Sequence, residues 1–291
     1  MSRLRSPFSI LFLLVALLGA MVIAGCGDDD DSSDDSATTA DLSDCTPDQL
    51  QTVKDGKLTV ATDSPAFEPY FVDDDPTNGQ GFESAVAYAI ADQLGFEQAD
   101  VVWTVVPFNA SYAPGPKDFD FDVNQISITA DREKQVDFSS PYYEANQGIV
   151  VLKDSDAADA ESLEDLKGLN IGVQIGTTSL DAVNDVIEPD SDPQVFDTSN
   201  DVVTALKQGK VDAIVVDVPT GFYLTAVEIP EATLAGQFAA PGGDQWGALL
   251  EKDSALTACV SAAVDELRDS GELAEIEQEW ISDKANAPVL E

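Results

Sequence analysis

From about residue 46 onward, short apolar and β-branched runs alternate with helix-patterned segments, and this rhythm constrains the fold more than any other feature. Strands that alternate with helices build parallel α/β sheets, because a crossover between parallel strands needs a long connection that a helix fills. Leu58-Thr59-Val60-Ala61-Thr62 is the first predicted strand, introduced by a turn at Asp55-Gly56. A helix is predicted from Glu83, with Val86, Ile90 and Leu94 at i, i+4 and i+8 and Gly95 as its stop. Val101–Val106 and Phe121–Gln125 read as strands, and Ile149-Val150-Val151-Leu152 as a strand buried on both faces.

The second half repeats the pattern. Ser162 is a predicted helix N-cap, with Asp165 at the capping-box position. Strands are predicted at Asn170–Gln174, Val195-Phe196 and Ala213–Val216, with helices opening at Gly176-Thr177-Thr178-Ser179 and spanning Asn200–Gln208. Ser254–Trp280 reads as helical, broken at Gly271. Ligands of open α/β sheets sit beyond the carboxyl ends of the strands. Asp63, Ser127, Thr177 and Asp217 all follow predicted strands, which places four polar groups where a ligand would lie.

Charge and composition narrow the chemistry. The chain has 55 acidic residues against 14 basic ones, a formal net charge of −41, and no histidine. Such a surface repels nucleic acid and anionic headgroups. Without histidine there is no Ser-His-Asp triad, Cys–His pair or His-bearing zinc site, and the commonest general base near neutral pH is missing. Carboxylates, Lys and Tyr remain as possible catalysts. No cofactor or metal is expected.

The N-terminus reads as an export signal. Arg3 and Arg5 precede an almost wholly apolar stretch, Ile10–Ile23, that is short for a membrane span. It ends at Ile23-Ala24-Gly25-Cys26, which resembles the lipobox of bacterial lipoproteins. That resemblance implies cleavage of residues 1–25, a diacylglyceryl lipid on Cys26, attachment to the outer face of the cell membrane, and a mature net charge of −43. Residues 26–45, rich in Asp and Ser, are expected to form a disordered tether. Outside the cytoplasm the pair Cys45 and Cys259 is a candidate disulfide, with two buried free thiols as the alternative.

Several motifs occur in one order. Ile126-Ser127-Ile128-Thr129-Ala130-Asp131-Arg132 followed by Phe138-Ser139-Ser140-Pro141-Tyr142-Tyr143 resembles the central signature of the polar amino-acid-binding proteins of ABC importers, solute-binding protein family 3. Gly81-Phe82-Glu83, Gly176-Thr177-Thr178, Val211-Asp212-Ala213-Ile214-Val215-Val216-Asp217 and the closing Leu267, Gly271, Leu273 and Trp280 fit the same family over about residues 56–284. The resemblance implies a periplasmic-binding-protein-like type II fold, two α/β lobes joined by a two-crossing hinge. The expected lobes are 46–147 plus 244–291 and 148–243, with crossings near Ala145–Gly148 and Gly242–Gln245. A monomer is expected, with an ABC permease and its ATPase as partners and no enzymatic activity. A sensor ectodomain and a dehydratase-like enzyme on the same fold are the rival readings.

The family also implies a site. Arg132 would fork onto a ligand carboxylate and Asp217 would take its ammonium. Thr177, Thr178 and Gly176 at a helix start would help hold the carboxylate. Ser127 and Gln125 would complete the shell from the first lobe, with Asp63, Phe67 and Phe108 toward the side-chain pocket. The acids Asp63, Glu68 and Glu83 favour a polar or cationic side chain. Two stretches depart from the family pattern: Asp63–Tyr70 is one residue longer, and Asn109–Lys117 contains Pro114-Gly115-Pro116, which a helix would not tolerate.

Overall fold

The computed structural model describes residues 40–281 and 287–290, and the signal segment and Cys26 lie outside the described residues. Two five-stranded mixed sheets form the frame. In the first, β1 (Leu58–Thr62) lies between parallel neighbours β2 (Val101–Val105) and β3 (Phe121–Asp122). Antiparallel β10 (Gln245–Glu251) then joins β3 to β4 (Val136–Glu144). In the second, the order runs β7 (Gln194–Phe196), β6 (Ile171–Gln174), β8 (Ala213–Asp217), β5 (Gln147–Leu152), β9 (Ala232–Phe238).

All five residues of β1 are buried, as expected of a strand covered on both faces. Helix α1 (Phe82–Gln93) packs Phe82, Val86 and Ile90 onto one face of the first sheet, with α6 (Thr257–Ser270) and α7 (Glu272–Trp280) beside it. Gly81 starts α1 at φ 100, and a Cβ there would strike the Tyr70 carbonyl, so only glycine fits. The other face carries a smaller core of Ala61, Phe119, Ile126, Val136 and Leu249, flanked by Phe108 and Tyr112. Around the second sheet, α3 (Thr178–Ala182) lies on one side, with α4 (Ser199–Lys207) and α5 (Val218–Tyr223) on the other.

The chain passes from the first sheet to the second between Glu144 and Gln147 and returns between Phe238 and Gln245. The two passages touch: the Ala145 N–H donates to the Asp244 carbonyl at 2.8 Å. Two α/β lobes are therefore joined by paired crossings.

Several expectations need correction. β4, β9 and β10 had no predicted counterpart, because Pro141 in β4, Gly236 in β9 and Gly247 in β10 interrupt their β pattern. The expected strand Phe121–Gln125 stops at Asp122, and Gln125 adopts φ 48. One helical turn, α2 (Phe108–Ser111), forms in the segment expected to exclude helix; it closes before Pro114, so the prolines do not oppose it. The tether's last residues are ordered: Leu42–Asp44 makes a 3-10 turn, Leu42 packs on the first core, and Cys45 is buried and bonded to Cys259.

The C-terminal tail also departs from expectation. Residues 287–290 lie on the second sheet, not with the first lobe. Gln237 donates its backbone N–H to the Pro288 carbonyl at 2.7 Å and accepts from the Leu290 N–H at 2.9 Å. Leu290 is 4% exposed and fills the space a Cβ at Gly236 would need. Burying a leucine is worth about 1.5–3 kcal/mol, so Leu290→Ala should lower the unfolding free energy by about 1–3 kcal/mol. Urea unfolding measures this, and an unchanged midpoint would mean that the tail leaves its slot.

Candidate functional site

The cleft is built where the two sheets meet at their crossings. Arg132 follows the loop after β3, and its side chain is buried, with 8% of the residue exposed. One terminal nitrogen, Nη1, donates to the Ser127 carbonyl at 2.6 Å within the first lobe. The other, Nη2, donates to the Gly176 carbonyl at 3.0 Å in the second lobe. A guanidinium has five N–H groups, so three are left for another acceptor. The cation lies over the rings of Tyr112 and Phe108, with Cζ 4.7 and 5.5 Å from their centres. Burial lowers its pKa, opposed by Tyr112 and by the charges of Asp244, Asp181 and Asp217. An arginine nonetheless stays charged across the ordinary pH range.

Opposite stands Asp217, at the end of β8. Its carboxylate caps nothing in α5; Oδ1 accepts from the Gln147 Nε2 amide at 2.9 Å. The same amide donates to Asp244 Oδ2 at 2.6 Å. Thr178 Oγ1 also donates to Asp244 Oδ2, at 2.9 Å, and lies 3.2 Å from Ser127 Oγ in the first lobe. Asp217 retains some solvent contact, but its protein surroundings push its pKa well above the carboxylate range, and the Asp244 charge adds to the shift.

Arg132, Ser127, Gly176, Thr178, Phe108 and Asp217 therefore come together. Other predicted members serve the frame. Thr177 caps α3, accepting from the Leu180 N–H and donating to the Gln174 carbonyl. Asp63 accepts from the backbone N–H groups of Ser64 and Phe108, which holds α2 in place. Gln125 faces Glu83, not the cleft centre. Its N–H donates to Glu83 Oε1 at 2.6 Å and its side-chain amide donates to Oε2. Phe67 is half-buried, and its carbonyl accepts from the N–H groups of Tyr70 and Phe71 in the turn before α1.

Glu83 is fully buried, and Tyr142 donates a third bond to it. Burial raises its pKa to about 7, against the pull of Tyr142 and Gln125. A carboxyl raised from 4.5 in the folded state stabilises the protein below pH 4.5, and that contribution is lost as pH rises through 7. The loss is about 3 kcal/mol by linkage. Urea unfolding of Glu83→Gln at pH 5 and pH 8 should show a smaller fall than wild type; an equal fall would contradict the assignment.

Four residues of the site carried no sequence signal of their own. Gln147, Ser179, Asp244 and Tyr112 gain their roles from convergence. Ser179 donates to Gln147 Oε1 at 2.6 Å and so orients the amide shared by the two aspartates. Tyr112 lies in the Pro/Gly-rich stretch, and Asp244 follows Gly242-Gly243 in the second crossing. Asp122, at the end of β3, is buried, and neither carboxylate oxygen has a well-formed hydrogen bond among the described residues. Burial, with the charges of Glu83 and Asp63, pushes its pKa well up.

Two α/β lobes, crossed by paired segments and closed over a polar cleft with one buried arginine, define a substrate-binding protein of the periplasmic type II architecture. The chain belongs to the bacterial extracellular solute-binding proteins, family 3, whose model matches residues 58–283. The arginine-binding extracellular protein ArtP of Bacillus subtilis is 30% identical over 207 residues, covering 69% of this chain and 78% of that protein. The ABC transporter glutamine-binding protein GlnH of Bacillus subtilis is 28% identical over 278 residues, covering 93% and 96%. Among solved structures, an ancestral arginine-binding protein bound to arginine superposes with a TM-score of 0.65 at 33% identity, covering 78% of this chain and 99% of that one. These relatives are named as binding proteins, not enzymes.

Proposed function

We propose that this protein is an extracytoplasmic binding protein, lipid-anchored through Cys26, that captures one free amino acid between its lobes and delivers it to an ABC permease. The observation that carries the reading is the Arg132 guanidinium. It belongs to the first lobe, bonds to Gly176 of the second, and keeps three N–H groups for a carboxylate. Asp217 takes the ammonium from the opposite lobe, so one zwitterion satisfies both groups and closure follows from binding. The paired crossings serve as the hinge, between lobes of about 46–147 plus 244–281 and 148–243.

The charge around the cleft supports a cationic or neutral polar side chain. Asp244, Asp181 and Asp217 lie near Arg132, the one buried cation among the described residues. Relatives named for arginine and for glutamine agree with that preference. Delivery to a permease rests on relatives named as ABC transporter proteins, and the anchor rests on the lipobox. A thermal-shift screen against the twenty amino acids tests the reading. Stabilisation by a cationic or amide-bearing amino acid is expected; a shift with sugars or metal ions alone would overturn the ligand class.

A further inference from the structure

We infer that Asp244 is a second carboxylate of the ammonium site, so that the ligand's α-amino group is held between Asp217 and Asp244 and not by Asp217 alone. The inference rests on the proposed function and goes beyond it by naming a residue from the crossing itself.

Asp244 is 1% exposed. One of its oxygens, Oδ2, is saturated by Gln147 Nε2 and Thr178 Oγ1. The other, Oδ1, is buried and has no hydrogen-bond partner among the described residues. A buried carboxylate oxygen left without a donor is costly and calls for one. The Gln147 amide divides its two N–H groups between Asp217 and Asp244, which fixes the two carboxylates side by side. Ser179 locks that amide by donating to Gln147 Oε1, so Gln147 cannot flip to face either acid with its oxygen. Two carboxylates held around one amide repel each other, and a cation between them relieves the repulsion. An ammonium has three N–H donors, enough to bond Asp217, Asp244 Oδ1 and one further acceptor.

Placement in the second crossing gives Asp244 a second consequence. It touches Thr178 from the second lobe and, through Ala145, the first crossing. A ligand amine drawn to Asp244 thus binds at the hinge, where small displacements swing both lobes.

The test compares amino acids with analogues that lack the amine. Calorimetric titrations of the full chain use L-arginine and L-glutamine, and their des-amino counterparts 5-guanidinopentanoate and glutaramate. For wild type, whichever amino acid binds should bind at least ten-fold more tightly than its des-amino counterpart. Asp244→Asn should weaken the amino acid by ten-fold or more and leave the des-amino compound within two-fold. Unchanged amino-acid affinity in Asp244→Asn overturns the inference. So does an equal loss for both compounds, which would make Asp244 a structural latch only. If Asp244→Asn melts well below wild type, Asp244→Ser, which keeps an acceptor for Gln147, takes its place under the same criteria. Loss of binding in Asp217→Asn with none in Asp244→Asn would leave the proposed function standing and the inference refuted. If wild type binds neither, the amino acid with the largest thermal shift and its des-amino counterpart replace them under the same criteria; failure of wild type to bind any of the twenty refutes both.

Discussion

Replacing Arg132 with alanine should reduce amino-acid affinity by at least about thirty-fold, because removing one partner of a buried, hydrogen-bonded charge pair costs about 2–5 kcal/mol. The loss has two sources. The ligand carboxylate loses the one buried cation among the described residues, and it then faces Asp244, Asp181 and Asp217 unopposed. The link from the first lobe to the Gly176 carbonyl is also lost, so the closed form is less favoured. Arg132→Lys keeps the charge but not the planar fork, and should fall between the two. Far-ultraviolet circular dichroism of both variants should match wild type, since the guanidinium bonds one carbonyl at an isolated bridge and one in a turn, and no carbonyl within a named strand. Tight binding by Arg132→Ala, measured by calorimetry, would sink the assignment.

The second large effect concerns stability. Cys45 and Cys259 are bonded across a sequence separation of 214, joining the segment before β1 to helix α6. The bridge therefore encloses nearly the whole folded chain, and both its ends are buried in the first-lobe core. Native disulfides are typically worth about 2–5 kcal/mol, with long loops at the upper end. Exchanging both cysteines for serine should lower the melting temperature by roughly 5–15 °C, at about 2–4 °C per kcal/mol for a chain of this size. Amino-acid affinity should change little, because neither cysteine lies in the cleft. Differential scanning calorimetry decides it: an unchanged melting temperature would mean that the bridge contributes nothing to the folded state.

Four strands were legible because they carry local signals whichever way they pair: β1, β6 and β8 have parallel partners, and β5 runs antiparallel to β8 and β9. β1, β5, β6 and β8 are dense in valine, isoleucine and leucine, and each lay within two residues of its predicted limits. β4, β9 and β10 obey a different logic. They are antiparallel strands specified by partners far along the chain, as in the pairing of Leu249 with Phe138 and Asp122. Pro141, Gly236 and Gly247 are tolerated there because bulges and close packing absorb them, and none of that is visible in a local window.

The candidate site divides the same way. Ser127 and Asp217 follow predicted strand ends, and the family resemblance pointed to Arg132 and Thr178. Gln147, Asp244 and Tyr112 were beyond such reasoning. Each is an ordinary residue of a crossing or a loop until the two lobes bring it against the others. Gln125 and Thr177 show the converse. Their positions are those of ligand-holding residues, but Glu83 engages Gln125, and helix capping occupies the Thr177 hydroxyl. The tail at 287–290 defeated expectation for a simpler reason: Leu290 finds its slot only because Gly236 leaves one.

The most direct measurement is a crystal structure grown with the amino acid that gives the largest thermal shift. Its carboxylate should lie within hydrogen-bond distance of the Arg132 guanidinium and its ammonium within hydrogen-bond distance of Asp217, with both lobes in contact with the same molecule. An amino acid bound with its carboxylate away from Arg132, or held by one lobe alone, would contradict it.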